Sequence, residues 1–281
     1  MKHASVKPAI GSLVLLFGWV FPLTIAAAEL KITAKSAVLM NAQTGKIIWA
    51  QDKDLPLPPA STAKILTALV VLDHSRMSDV LTVPAEALRV PGATIQLIAG
   101  EKLTVSDLLH AMLLGSANDA AIALALHAGG SIDKFVERMN YQAHTLGAVR
   151  SRFFNPTGMP HPNQLTTAQD LAVITQAALE NSDFRQIVIT KTYPWKSRRR
   201  QGTIKNSNKL LSSYDGAIGV KTGNTREAGY CLVAAAQRGG QTYIAVLLKS
   251  QEKAVWQDAR KLLDHGFKHL SLEGGGAASE R

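Results

Sequence analysis

Hydrophobic periodicity changes twice along this 281-residue chain, and that limits its fold more than any other feature. Residues 36-SAVLMN-41 read as alternating, a turn follows at Gln43-Thr44-Gly45, and 46-KIIWAQ-51 returns, which predicts a β-hairpin over 35–51. From about 74 to 190 the chain reads as mostly helical. Segments 104–127, 131–146 and 166–180 carry apolar residues at helical spacing, with starts marked at Thr104 and Ser131. Residues 217–222, 229–237 and 241–248 return to strand character, with Arg238-Gly239-Gly240 turning between the last two. A helix from about Glu252 to His269 closes the pattern. Strands at both ends and helices between them predict an α/β (α+β) molecule. Its antiparallel sheet is built from both chain ends, with an inserted helical lobe. A helix opening at Ser61 falls at the seam, where clefts form.

The first segment is set apart. Lys2 and Lys7 precede an apolar run from about Ile10 to Ile25 that closes on Ala26-Ala27-Ala28. A basic start, a short apolar middle and small residues read as a secretory signal peptide over 1–28, removed before Glu29. No cysteine lies near that point to carry a lipid. The main domain is expected over 29–270, and the polar, glycine-rich 271–281 as a disordered tail. With 46% apolar and 19% charged residues, one large domain can bury a sizeable core. Cys231, the single cysteine, sits in 229-GYCLVAAA-236 and reads as a small core residue. The histidines lack ligand spacing, so no metal or organic cofactor is expected. The formal net charge of +10 is densest at 196-KSRRR-200, with Lys205 and Lys209 beyond. No nucleic-acid recognition motif accompanies it, so the patch reads as a solvated loop or strand face. A basic surface of this kind favours approach to anionic envelope polymers.

Residues 58-PPASTAKILTALVVLD-73 carry the chemistry. From Ile65 onward the helix is apolar almost all round, yet Ser61 opens it and Lys64 follows one turn later. Ser-x-x-Lys alone is weak, since about one occurrence is expected by chance in a chain this long. It occurs three times here, at Ser61/Lys64, Ser131/Lys134 and Ser250/Lys253. Ser131 and Ser250 each read as helix N-caps, which explains them structurally. Only Ser61 opens a helix too apolar to need a lysine for solubility. Ser116-Ala117-Asn118 interrupts 108-LLHAMLLGSANDAAIALAL-126, so its polar groups either cap helices or line a site. Lys221-Thr222-Gly223 follows the strand 217-AIGV-220.

In this order the three triplets match the Ser-x-x-Lys, Ser-x-Asn, Lys-Thr-Gly signature of active-serine, penicillin-interacting enzymes. From about Ala34 to Leu270 the chain resembles the D-alanyl-D-alanine carboxypeptidases, low-molecular-mass penicillin-binding proteins. The stretches 34-AKSAVLMNAQTGKIIWAQD-52, 88-LRVPGATIQLIAGEKLTVSDLLHAMLLGSANDAA-121, 154-FNPTGMP-160, 166-TTAQDLA-172, 206-NSNKLL-211 and 215-DGAIGVKTGNTREAGYCLVAAA-236 carry the likeness too. The resemblance implies a transpeptidase/β-lactamase-like fold and exported cell-wall peptidase activity. The partners it implies are peptidoglycan stem peptides ending in D-Ala-D-Ala, with β-lactams as covalent inhibitors. Ser61 is then the nucleophile and Lys64 its base, provided burial and a second cation, Lys221, depress the lysine pKa. The resemblance further implies that Ser116 relays a proton to the leaving amine and that Asn118 holds the substrate backbone. Lys221 and Thr222 would draw in the terminal carboxylate, and Gly223 would let the strand approach the substrate. The backbone N–H groups of Ser61 and Asn224 would form the oxyanion hole.

One departure bears on specificity. Relatives commonly carry an arginine about eleven residues before the Gly-Phe of the last helix, and counting back from Gly266-Phe267 reaches Val255. Lys249 or Lys253 are the candidate replacements, but lysine lacks the two-pronged geometry. This leaves three rivals. The first is a D,D-endopeptidase acting on cross-links. The second is a β-lactamase, disfavoured because 154-FNPTGMPHPNQL-165 has no acidic residue to activate water. The third is a catalytically silent wall-binding protein. After cleavage the product is expected to be a soluble monomer without a membrane anchor, in the periplasm or outside a bacterium.

Overall fold

The computed structural model describes residues 1–3, 30–199 and 201–275, with side chains through Lys268. The apolar run from 10 to 25 therefore lies outside the described residues. No described helix is long and apolar enough to cross a membrane.

The elements begin with strands β1 (Ser36–Asn41) and β2 (Ile47–Gln51), a 3-10 turn at Ala60–Ala63 and helix α1 (Lys64–His74). Short strands β3 (Val80–Thr82) and β4 (Lys102–Thr104) lead to helices α2 (Val105–Leu114), α3 (Asn118–Gly129) and α4 (Ile132–Thr145). Helices α5 (Ala168–Glu180) and α6 (Ser182–Ile189) precede a hairpin of β5 (Thr192–Lys196) and β6 (Gln201–Lys205). Strands β7 (Ala217–Thr225), β8 (Gly229–Arg238) and β9 (Gln241–Ser250) and helix α7 (Ala254–Gly275) complete the described chain.

The main sheet runs β2-β1-β9-β8-β7, antiparallel throughout. Its centre joins the two ends of the chain, with Ser36 opposite Leu248 and Asn41 opposite Tyr243. Every residue of β1 is buried, so the expected in–out alternation is absent there. The physical reason is cover on both faces: α5 packs on β1 and β9, and α7 packs on β8, β9 and β1. The N-terminal strand is clamped from α7 as well. The buried Asp258 carboxylate accepts Thr33 N–H at 2.8 Å and Thr33 Oγ1–H at 2.6 Å.

The helical starts fall where the sequence marks them. Thr104 closes a capping box with Asp107 at the head of α2, and Ser131 Oγ accepts Lys134 N–H at 3.2 Å at the head of α4. Ser250 differs. It is the last residue of β9 and lies 3.4 Å from Thr33 Oγ1, so it closes the sheet rather than capping a helix. The last helix runs through Gly266 and past His269 to Gly275, into the expected disordered tail, because a lone glycine weakens a helix without ending it and no proline follows. Residues 276–281 lie outside the described residues. The β5–β6 hairpin and the short β3–β4 pair, which falls in the stretch read as mostly helical, are the elements the periodicity does not reveal.

Candidate active site

Ser61 does not cap α1. It sits in the 3-10 turn, and the α-helix proper begins at Lys64 with no side-chain cap. Its hydroxyl is therefore available for chemistry. Two features force this turn. Ala60 holds a left-handed φ of 47°, and Gly158 packs so tightly behind it that a β-carbon there would stand 1.8 Å from Ala60 O. Gly223 closes the other side, where a β-carbon would stand 2.8 Å from Ser61 N. The glycine thus lets β7 approach the serine turn itself, a closer constraint than the expected approach of substrate.

Lys64 is fully buried. Its Nζ lies 3.0 Å from Ser61 Oγ, 2.7 Å from Asn118 Oδ1 and 2.6 Å from Thr157 O. The Asn118 amide is oriented by Pro91 O, which can only accept, and which takes Nδ2–H at 2.7 Å. That leaves Oδ1 facing the lysine, so two of the three partners of Nζ are acceptors. An ammonium would donate to all three. A neutral amine donates to Asn118 and Thr157, and its lone pair falls toward the Ser61 hydroxyl. Burial pushes the Lys64 amine well below the ordinary lysine range, and the charge of Lys221 adds to the effect. Lys221 is itself buried and lowered to about 7 by desolvation, and its Nζ donates to Thr222 O at 2.9 Å.

Thr222 is half-buried next on the same strand, and its Oγ1 lies 2.7 Å from Ser207 Oγ. Ser116 occupies the break between α2 and α3 in a left-handed conformation, φ 62°, with its hydroxyl in no hydrogen bond to a described residue. The break explains why this serine caps neither α2, whose C-cap is Gly115, nor α3, whose N-cap is Ala117. Asn224 is exposed beyond Gly223, and its side chain meets Tyr230 across the β7–β8 pair. Val255 is buried, so the last helix presents no polar group from that position. Lys249 and Lys253 are exposed and form no ion pair with a described carboxylate. Among the described residues no cluster of three or more His, Cys, Asp or Glu could hold a metal. Cys231 is buried opposite Gly223, and burial pushes its thiol up to about 11.

Three residues outside the triplets complete the site. Asn155 Oδ1 accepts N–H groups from Thr157, Gly158 and Met159, and this shapes the loop whose Thr157 carbonyl meets Lys64. Asp119 is buried and accepts Ile95 N–H at 3.0 Å and Leu97 N–H at 3.1 Å. It thereby fixes the 91–97 loop whose Pro91 carbonyl orients Asn118. The stretches 154-FNPTGMP-160 and 118-NDAA-121 contain these groups, but only the folded backbone shows what each carboxylate or amide accepts.

The family model for D-alanyl-D-alanine carboxypeptidases matches residues 23–252. The chain is 34% identical over 247 residues to D-alanyl-D-alanine carboxypeptidase DacF of Bacillus subtilis, covering 85% of this chain and 64% of the relative. It is 37% identical over 261 residues to the D-alanyl-D-alanine carboxypeptidase of Streptomyces sp. K15, covering 86% of this chain and 90% of that one. The crystal structure of the Streptomyces K15 DD-transpeptidase superposes with a TM-score of 0.81 at 37% identity, over 85% of this chain and 98% of that one.

Proposed function

The chain belongs to the D-alanyl-D-alanine carboxypeptidase family, and from that premise we propose that it removes the terminal D-alanine from peptidoglycan stem peptides through an ester on Ser61. The observation that carries this reading is the buried Lys64 amine held between Asn118 Oδ1, Thr157 O and the Ser61 hydroxyl. Ser61 Oγ attacks the penultimate D-Ala carbonyl carbon while Lys64 takes its proton. The N–H groups of Ser61 and Asn224 receive the developing oxyanion. The C–N bond breaks, D-alanine leaves as the amine, and Ser116 passes it the proton. Its strained position and unpaired hydroxyl suit that relay. Water then hydrolyses the ester. Lys221 and Thr222 face the substrate carboxylate, with Ser207 steadying the threonine hydroxyl. A β-lactam offers the same carbonyl and carboxylate, and its opened ring stays tethered to the ester. The enzyme works outside the cytoplasm, in the periplasm or beyond, as a monomer. The signal-like pattern over 1–28 supports that placement.

Val255 favours a second reading. With valine in place of arginine at position 255 of the last helix, a free terminal carboxylate is bound less specifically, and cross-linked peptides become acceptable substrates for D,D-endopeptidase cleavage. The test is intact-mass analysis after benzylpenicillin, with Ser61→Ala as control, followed by digestion of pentapeptide and cross-linked muropeptides. A long-lived adduct absent from the control, with release of D-alanine from pentapeptide, is the expected result. Cleavage confined to cross-links would select the endopeptidase. An adduct that turns over within seconds would select a β-lactamase, and no adduct at all a silent wall-binding protein.

A further inference from the structure

The segment from Phe184 to Tyr214 contains eight cationic residues, Arg185, Lys191, Lys196, Arg198, Arg199, Arg200, Lys205 and Lys209, and no aspartate or glutamate. Lys196, Arg198, Arg199 and Lys205 ride on the β5–β6 hairpin. We propose that this hairpin is a docking platform for a linear phosphodiester polyol, a polyanion without bases or acyl chains, of the class that accompanies peptidoglycan in bacterial envelopes.

The first argument is rigidity. Tyr193 and Trp195 of β5 and Ile204 of β6 turn inward, with Trp195 and Ile204 buried. The Tyr193 ring stacks on His110 at 3.8 Å, and its hydroxyl donates to Asp107 Oδ1 at 2.8 Å. The buried Glu101 carboxylate accepts Arg198 N–H at 3.2 Å and pins the hairpin tip to the turn before β4. A polyanion meeting this surface finds its backbone already ordered, so less entropy opposes binding.

The second argument is unpaired charge. Lys191, Lys196, Arg198, Arg199 and Lys205 are exposed, and none forms an ion pair with a described carboxylate. Lys196 pairs in register with Gln201, and Lys205 with Thr192, which places the two lysines at opposite ends of one outward face. Four residues of strand separate them, roughly 13 Å. A chain of phosphates laid along the face meets both lysines and then the arginines of the tip.

The third argument selects the partner. The outward face holds Thr192, Pro194, Thr203 and Gln201 besides the lysines. It has no exposed aromatic ring to stack on a base and no large apolar group to enter a bilayer. Binding through charge and hydroxyls alone fits a polyol phosphate. Position adds a consequence. Ile204 lies against the α2–α3 break at Gly115, and β6 leads within two residues to Ser207, bonded to Thr222. A polymer on the hairpin therefore holds the cleft beside the wall.

The probe is poly(glycerol phosphate), titrated against the purified protein, with the Lys196→Gln/Arg198→Gln/Arg199→Gln variant and the remote Lys134→Gln variant as controls. Wild type is expected to lose roughly fiftyfold in affinity between about 50 and about 200 mM salt, as four phosphate contacts, to Lys196, Lys205, Arg198 and Arg199, require. The triple variant is expected to bind at least about tenfold more weakly and the Lys134 variant as wild type. Benzylpenicillin acylation in high salt should be the same in all three. Hydrogen exchange in wild type should slow within 192–205 when polymer is added, a readout independent of the variants. Unaltered binding by the triple variant, protection elsewhere, or a salt-independent affinity would overturn the proposal. So would tighter binding, at equal phosphate, to phosphatidylglycerol vesicles or to single-stranded DNA, which would assign the face to a membrane or to nucleic acid. The acylation measurement keeps failure here separate from failure of the peptidase reading.

Discussion

Lys64 can act as a base only if its nitrogen has a free lone pair at working pH. Arginine at that position stays protonated at any working pH, so Lys64→Arg should abolish Ser61 acylation while thermal unfolding still shows a folded protein. Retained acylation would remove Lys64 from the mechanism. The neighbouring cation makes a second, finer prediction. Lys221 contributes charge that lowers the Lys64 pKa. Lys221→Gln removes that repulsion, so the acid limb of the benzylpenicillin acylation profile should move to higher pH. An unmoved limb would mean that desolvation alone tunes the base.

Ser116 and Asp119 act through the elements that hold them. A serine at φ 62° carries backbone strain that glycine does not. Ser116→Gly should therefore stabilise the fold by about 0.5–1 kcal/mol, read from denaturant midpoints, while substrate turnover falls through loss of the hydroxyl. Asp119→Asn turns one acceptor of the 91–97 loop into a donor facing an N–H. We expect a loss of about 1–3 kcal/mol and slower acylation, because Pro91 O no longer orients Asn118. Unchanged acylation in a destabilised Asp119→Asn protein would limit the residue to a structural role. At this scale the sequence was informative where one element carries its own signal. The capping box at Thr104, the break at Ser116 and the turn at Arg238-Gly239-Gly240 all follow from local residue chemistry. The β5–β6 hairpin did not, because Pro194 and the arginine run hide its alternation. The sequence at Ser61 signals a helix start, since only the packing of Gly158 and Gly223 converts the turn to 3-10 geometry. Asn155, Thr157 and Asp119 escaped because they act by accepting or presenting backbone groups, which no side-chain motif records.

For the molecule as a whole, burying two lysines side by side ties stability to pH. Lys221 titrates near 7 in the fold and near 10.4 in an unfolded chain. Between those values the unfolded state binds more protons, so stability should rise with pH from about 7 to about 10. Below about 7 both states are protonated, and the cost of the buried ammonium stands in full. Denaturant midpoints at pH 7 and pH 9 should show a gain in wild type that is smaller in Lys221→Met, and equal gains would contradict the assignment. The sheet has a different consequence, one of timing. Its central pair joins β1 to β9, so the N-terminal strand, which can pair with β2 at once, finds its second partner only after residue 241 has been made. At ribosomal speeds of roughly 5–20 residues per second that is a wait of about ten seconds or more. Throughout that interval the chain lacks its core seam and can still be threaded through a narrow pore. On the export reading proposed above, the order of the strands is itself a delay that keeps the door open.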